Sequence, residues 1–304
     1  MVEVNGAKLT LADFEAKRSG TLFQARNTYY ETLRKAMEDY INEYLLQQQA
    51  QKENVTVAQL LERHVNSVIP KEPPSEDALR LYYEGIDRKE PYETIRGAIL
   101  DHIRDTRMAK AKAAYIESLR SQAQVVFRLA PPRTTVSLKD VPVRGVQAAP
   151  VTIVEYADYE CPYCQQVQPT LDRLETDYKG KVAFAYKNFP LPMHPHAEKA
   201  AEAALCAGAQ GKYWEYHDRL YKVKELDVPQ LKQSAAALQL DTKTFDECLD
   251  SGKQAEIVKT QSAEGQGLQI QGTPSFLING RFISGGISYE DFRRIVEEEL
   301  SSAR

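Results

Sequence analysis

Hydrophobic residues recur with a helical period through most of the first 125 residues. Between residues 22 and 45 they fall every three or four positions, which makes an apolar stripe on one side of a predicted helix. Thr56 and Gln59 have the spacing of a capping box and predict the start of a second, short helix. Residues 91–124 carry the helical period again and predict a long helix. An all-α domain is therefore predicted over residues 1–125.

The pattern changes after residues 126–140, a proline-containing stretch that is predicted to be a linker. Beyond it, residues 151–157 form the continuous apolar run of a buried strand, and a second such run follows. An Asn-Gly pair at 279–280 separates two short apolar runs and predicts a hairpin. Residues from about 195 to 263 are helical in several segments. The second part of the chain, residues 141–304, is therefore predicted to be a mixed α/β domain.

Composition and charge narrow the function classes. The chain has 304 residues, enough for about two domains, and a formal net charge of -4. Nothing in this charge indicates a nucleic acid partner or an anionic membrane surface. No apolar stretch reaches the ~18–20 residues that span a bilayer. Glu3, Lys8 and Asp13 fall where a signal peptide would have its apolar segment, so the protein is either cytosolic or has lost an export signal.

The four cysteines include one close pair, Cys161 and Cys164, which follows the first predicted strand and precedes a predicted helix. At a helix N-terminus, unsatisfied backbone N–H groups and the helix dipole favour a thiolate on the first sulfur. Such a thiolate reacts readily while the second thiol stays sheltered, so the pair predicts thiol-disulfide exchange. A purely structural disulfide is one alternative, and a zinc site is another. Further zinc ligands exist by count in Cys206, Cys248, His194 and His196, but they form no second close pair.

A proline opens the first strand of the predicted hairpin. Pro274 has no N–H, so it is poorly suited to a central ladder of hydrogen bonds. A cis Thr273-Pro274 bond would turn the chain sharply and present the Thr273 backbone to a ligand. A trans proline at the end of a loop is equally compatible with these residues.

Three segments together resemble DsbA-like thiol-disulfide oxidoreductases: VTIVEYADYECPYC, NFPLPMHPHAEKAAEAALCAGAQGKYWEYHDRLY and GTPSFLINGRFISG. The resemblance runs from about residue 136 to 300. It implies an α/β thioredoxin fold that carries a helical insertion at about residues 195–263. This fold would follow the all-α N-terminal domain.

The resemblance also implies roles for site residues. Cys161 and Cys164 would be catalytic, and a cis Thr273-Pro274 bond would lie beside Cys161 and bind substrate. Glu155, six residues before Cys161, would be a buried acid that moves the proton of Cys164. A desolvated carboxyl has the raised pKa that this role needs. The alternative is that Glu155 is an ordinary surface residue at a strand end.

Two further pairs of residues carry expectations. Pro162 and Tyr163, between the cysteines, are expected to contact substrate and to help set the redox potential. They depart from the Pro-His of the best-known oxidases, so the oxidising strength stays open. Cys206 and Cys248 fall on two predicted helices of the insertion and are predicted to form a structural disulfide. Two buried free thiols are the alternative.

The N-terminal region resembles, by pattern, the helical chaperone region of SurA-type and PrsA-type folding factors. Those factors carry a parvulin prolyl-isomerase domain between two helical blocks. Here the interval between YYEGI and PYETI is only a few residues, so prolyl isomerase activity is not expected. The chain has 17 tyrosines, many of them in this region. They either fill the helical core or form a surface that binds unfolded chains or a second copy.

The sequence therefore predicts an extracytoplasmic, DsbA-like protein disulfide oxidoreductase, in the periplasm or a similar location. The alternatives are a disulfide isomerase or reductase that acts as a homo-oligomer through its N-terminal helices, and a holdase chaperone with a vestigial redox domain. The expected partners are unfolded or cysteine-containing clients and a membrane redox protein, either a quinone-linked oxidase or a transmembrane reductant. No cofactor, metal or nucleic acid is expected.

Overall fold

The computed structural model describes residues 2–86, 89–146 and 148–302. Contacts divide the chain into two units, Met1–Tyr30 with Pro131–Arg304, and Glu31–Ala130. The division at Ala130 falls inside the predicted linker, whereas the residues before Glu31 group with the C-terminal part. The first predicted domain begins at residue 1 and the second ends at residue 304, and both of these residues lie outside the described part of the chain. Within the described residues, no helix is both long and apolar enough to cross a membrane.

The chain begins with two short strands and continues in helices. These elements are β1 (Val2–Val4), β2 (Ala7–Leu9), α1 (Leu11–Lys17), α2 (Ser19–Lys52), α3 (Val57–His64), α4 (Glu76–Glu84) and α5 (Tyr92–Ser121). The predicted capping box is confirmed at the start of α3. Thr56 Oγ1 accepts a hydrogen bond from the Gln59 backbone N–H at 3.2 Å. The Thr56 backbone N–H donates in return to the Gln59 side-chain Oε1 at 2.9 Å. Both amides would otherwise have no partner within the helix.

The β1–β2 hairpin is a difference from the predicted all-α region. The strands pair antiparallel, with Val4 opposite Ala7. The turn residues Asn5 and Gly6 have φ angles of 49° and 79°. Asn-Gly supplies the positive φ values that a two-residue hairpin turn needs. The long helices that follow are as predicted, so the helical character of this region is confirmed.

A five-stranded sheet organises the rest of the chain. The elements are β3 (Val143–Gly145), β4 (Val151–Ala157), α6 (Pro162–Asp177), β5 (Val182–Asn188), α7 (Ala197–Gly208), α8 (Tyr213–Leu220), α9 (Val228–Ala237), α10 (Thr242–Asp250), α11 (Ala255–Gly267), β6 (Ser275–Ile278), β7 (Arg281–Ser284) and α12 (Tyr289–Ser302). The strand order is β3-β5-β4-β6-β7; β4 and β5 are parallel, and the other neighbouring pairs are antiparallel. Helices α7 to α11 separate β5 from β6 along the chain. The predicted thioredoxin fold with a helical insertion is confirmed.

Strand β4 lies at the centre of this sheet and is covered on both faces, which explains its continuous apolar run. On one face the core includes Leu171 of α6 and Phe292 of α12. On the other face Tyr156 of β4 belongs to a core that includes Phe189 and Ile270. The carboxyl end of β4, after which the cysteine pair follows, is therefore held by a packed core on each side.

Candidate active site

Cys161 follows the carboxyl end of β4 and is the N-cap of α6. Pro162 occupies the first helical position, where its missing N–H leaves no hydrogen bond unmade. Asp158 fixes the loop between the strand and the helix. Its carboxylate accepts from the Leu191 amide at 2.8 Å and pairs with His194 Nδ1 at 2.7 Å. The cysteine loop is thereby tied to the segment between β5 and α7.

The two cysteines are free thiols in different environments. Cys161 is 3% exposed, and its Sγ lies 3.4 Å from the Thr273 carbonyl oxygen, to which it donates when protonated. A hydrogen bond from the Cys164 thiol is the main cause that lowers the pKa of Cys161 to about 5, although burial opposes it. Burial raises the pKa of Cys164 well above its ordinary value, and its bond to Cys161 and the charge of Glu155 add to this. At neutral pH the first sulfur is an anion and the second keeps its proton.

Glu155 lies within β4 and is only 6% exposed. The alternative of a surface position for this residue is therefore wrong. Its partner on β5 is Tyr186. The Gln168 amide donates to Glu155 Oε1 at 3.4 Å and to the Cys164 carbonyl at 3.2 Å. Burial raises the pKa of Glu155 to about 8; the Gln168 bond opposes this and the charge of Cys161 adds to it. Near neutral pH this carboxyl can both give and take a proton.

The Thr273-Pro274 peptide bond is cis. A groove of about 560 Å³ lies beside the cysteine pair. Its lining includes Tyr163, Gln166, Val167, Thr273, Pro274 and Ile287. Pro162 and Tyr163 are exposed, Tyr163 at 65%. Of the four residues predicted to bind substrate, Tyr163, Thr273 and Pro274 line this groove, whereas Pro162 does not.

A buried aromatic cluster packs against the cysteine pair. It is formed by Tyr159, Tyr186, Tyr213, His217 and Tyr221. The sequence did not predict it. Tyr159 OH pairs with His217 Nδ1 at 3.0 Å and with Tyr213 OH at 3.1 Å. Tyr186 OH pairs with Tyr221 OH at 2.9 Å. Burial raises the pKa of these tyrosines and lowers the pKa of His217 well below its usual value. The cluster therefore surrounds the sulfurs with neutral groups.

Cys206 on α7 and Cys248 on α10 form a disulfide with Cα atoms 5.9 Å apart. It links two helices of the insertion across 42 residues. With both sulfurs in this bond, neither is a thiolate that could bind zinc. Across residues 2–86, 89–146 and 148–302, no group of three or more His, Cys, Asp or Glu side chains is placed to hold a metal ion.

Asp158 and Gln168 are two polar residues of the site for which no signal was recognised. Gln168 stands four residues after Cys164, so helical spacing places both on one face of α6. This spacing could have identified Gln168 once Glu155 was assigned. The Asp158 carboxylate also accepts from the Glu160 backbone N–H two residues on, but its other two partners lie 33 and 36 residues further along the chain, and no local pattern reveals such pairs.

Comparisons with solved structures agree with this fold. A family model described as Thioredoxin matches residues 137–298. The chain is similar to oxidised BdbD from Bacillus subtilis, with 26% identity, a TM-score of 0.52, and coverage of 56% of this chain and 97% of that one. It is also similar to a thioredoxin-like oxidoreductase from Silicibacter pomeroyi, with 27% identity, a TM-score of 0.50, and coverage of 53% and 93%.

Among curated proteins, the Na(+)/H(+) antiporter NhaA 3 of Salinispora tropica is 40% identical over 164 residues. This match covers 53% of the present chain and 25% of the antiporter. A second antiporter, NhaA 1 of Salinispora arenicola, is 38% identical over 165 residues with the same coverage. The chain spans about a quarter of the length of these relatives, so the antiport named for them describes a much longer protein.

Proposed function

The chain belongs to the thioredoxin family, and we propose that it is a protein thiol-disulfide oxidoreductase that acts outside the cytoplasm on client proteins. The observation that carries this proposal is the difference between its two cysteines. Both thiols are buried, but Cys161 ionises easily and lies 3.4 Å from the carbonyl of Thr273, a residue of the groove, whereas Cys164 keeps its proton. Stepwise thiol-disulfide exchange requires one sulfur that attacks and one that reacts second.

In the reducing direction, the Cys161 thiolate attacks a client disulfide. One client sulfur bonds to Cys161 Sγ, and the other leaves as a thiolate. Cys164 then gives its proton to the ionised carboxylate of Glu155 and attacks Cys161 Sγ. The Cys161–Cys164 disulfide forms, and the remaining client sulfur leaves as a thiolate.

In the oxidising direction, a client thiolate attacks Cys161 Sγ of the enzyme disulfide. Cys164 leaves and takes its proton from Glu155. A second client thiolate then attacks the client sulfur bound to Cys161, which forms the client disulfide and releases Cys161 as a thiolate. In both directions Thr273 and Pro274, which line the groove, would align the client backbone beside Cys161.

We propose that disulfide donation is the main direction. The lowered pKa of Cys161 stabilises the reduced enzyme, and a stabilised reduced form makes a stronger oxidant. Pro162 and Tyr163 would adjust this potential from their exposed positions between the sulfurs. Reoxidation would then require a quinone-linked membrane oxidase, as the resemblance to DsbA-like enzymes implies.

The helical unit, Glu31–Ala130, would hold unfolded clients. Tyr40 and Tyr44 of α2 are 69% and 52% exposed, and Leu81 of α4 is 71% exposed. Exposed apolar and aromatic surface of this kind often binds other chains. Tyr92, by contrast, is buried in the core of this unit. The tyrosines of this unit therefore include both exposed and buried positions.

Insulin reduction tests the reaction, and equilibration with glutathione buffers tests its direction. Cys161→Ser should abolish insulin reduction. The matched variant Cys164→Ser should keep the first attack and accumulate a mixed disulfide with the client. Full insulin reduction by Cys161→Ser would overturn the proposal. A strongly reducing potential for the wild-type pair would overturn disulfide donation as the main direction.

A further inference from the structure

A small cavity lies behind the cysteine pair, next to Glu155. Its volume is about 20 Å³, which is enough for one water molecule. Its lining includes Arg144, Glu155, Gln168, Asp172, Glu175 and Trp214. The cavity therefore joins a buried carboxyl to charged side chains that reach solvent: Asp172 and Glu175 are 68% and 37% exposed.

Arg144 of β3 lines this cavity and contacts several of its other residues. Its Nη2 lies 2.6 Å from Asp218 Oδ1, and its Nη1 lies 3.5 Å from Glu175 Oε2. Its guanidinium carbon lies 4.4 Å from the centre of the Trp214 ring. A planar guanidinium can stack on a ring and bind carboxylates at its edge at the same time. Only 21% of the Arg144 side chain is exposed, so these contacts fix its position in the cavity wall.

Glu155 needs a route to solvent if it moves the Cys164 proton, because it must lose or regain one proton in each turnover. Its own side chain is buried, whereas Gln168, which donates to it, is partly exposed. The titratable groups that face it are Cys161 at the N-cap of α6, Cys164 within α6, Tyr186 from β5, and Tyr213, His217 and Tyr221 from α8 and its end. The aromatic groups among these are neutral and buried. The cavity, whose lining also includes Leu171, Phe184 and Ala185, has Glu155 and the exposed carboxylates of Asp172 and Glu175 in its wall.

We propose that Arg144 closes this cavity against bulk water, and that Glu155 exchanges its proton through a single water molecule towards Asp172 and Glu175. This inference rests on the proposed redox function, in which Glu155 serves Cys164. Arg144 does not touch the reacting sulfurs. It is a positioning residue that acts through the environment of Glu155.

Replacing Arg144 could change the Glu155 pKa in two ways, by removing a positive charge or by opening the cavity to water. The direction of the change tells the two effects apart. Loss of a nearby positive charge would make ionisation of Glu155 harder and would raise its pKa. Loss of closure would admit water, weaken the desolvation of the carboxyl and lower its pKa. Arg144→Gln removes both the charge and the closure. We expect the second effect to dominate, with the Glu155 pKa falling by about one unit.

Infrared spectroscopy of the reduced protein measures this change without any client. The carboxyl band of protonated Glu155 is identified by its absence in Glu155→Gln and is followed against pH. Arg173→Gln is the matched control, because Arg173 also pairs with a carboxylate, Asp177, and lies 3.6 Å over the Tyr289 ring, but does not line the cavity. This control should leave the Glu155 titration unchanged.

Arg144→Lys keeps the charge but cannot stack and bind carboxylates in the same way. The Glu155 pKa should fall less in Arg144→Lys than in Arg144→Gln. If Arg144→Gln does not fold, Arg144→Lys tests the closure in its place. In single-turnover experiments, the pH midpoint of the second step, the attack by Cys164, should move by the same amount as the infrared midpoint.

A Glu155 pKa that is unchanged or raised in the folded Arg144 variants would overturn the inference. Failure of the proposed function looks different: the wild type would lack Cys161-dependent insulin reduction, while the infrared titration could still be read. The two ideas therefore fail in separate measurements.

Discussion

The Cys164 thiol is expected to control how easily Cys161 ionises. Its hydrogen bond is the largest single cause of the lowered Cys161 pKa, ahead of Thr273 and of the amides at the start of α6. Cys164→Ala removes this donor and leaves the others. We expect the Cys161 pKa to rise from about 5 by about 2 units. The thiolate fraction at pH 7 should then fall from about 99% to about half.

Cys164→Ser is the matched control for this change. Its hydroxyl can donate a hydrogen bond from nearly the same position, whereas alanine cannot. Both variants lack the second sulfur, so they differ only in the donor. The thiolate absorbs in the ultraviolet, and its absorbance against pH gives the Cys161 pKa directly. The rate of alkylation at pH 7 gives an independent measure of the thiolate fraction.

The reasoning predicts that the serine variant titrates close to the wild type and the alanine variant clearly above it. If the two variants share one pKa, the Cys164 donor is not the cause of the low value. The amides at the helix N-terminus would then have to supply most of the effect. A Cys161 pKa near that of free cysteine in the wild type would contradict the site geometry as a whole.

Three other outcomes follow from buried or exposed side chains. Glu155→Gln should stabilise the protein by about 5 kcal/mol above pH 8, because the raised pKa means that the wild type loses about 1.4 kcal/mol of stability per pH unit as pH rises from about 4.5 to about 8; a urea-unfolding difference that does not grow over this range would contradict it. Replacing Cys206 and Cys248 together with alanine removes a link across 42 residues and should cost about 4 kcal/mol in the same assay, so an unchanged unfolding midpoint would be evidence against it. Tyr40→Ser combined with Tyr44→Ser should weaken suppression of client aggregation while changing stability by less than about 1 kcal/mol, since both side chains are exposed; wild-type suppression would assign client binding to another surface.

Local structural features of this chain could be predicted from the sequence, because each depends on a few neighbouring residues. The position of Cys161 at a strand–helix junction follows from an apolar run on one side and a helical period on the other. The Asn279-Gly280 hairpin and the Thr56 cap follow from turn and capping chemistry. The Asn5-Gly6 hairpin was missed although it has the same dipeptide, because its strands of three residues are too short to show an alternating pattern.

Burial and long-range pairing were decided only by the tertiary structure. Within β4, Glu155 is the one acidic residue, and its raised pKa exists because other elements cover it. Arg144 meets Asp218 across 74 residues of sequence. Periodicity and turn chemistry depend on adjacent residues, so the sequence by itself determined the elements and the reactive pair. The ionisation of that pair depends on desolvation and on charges from distant segments, so only the assembled fold decides it.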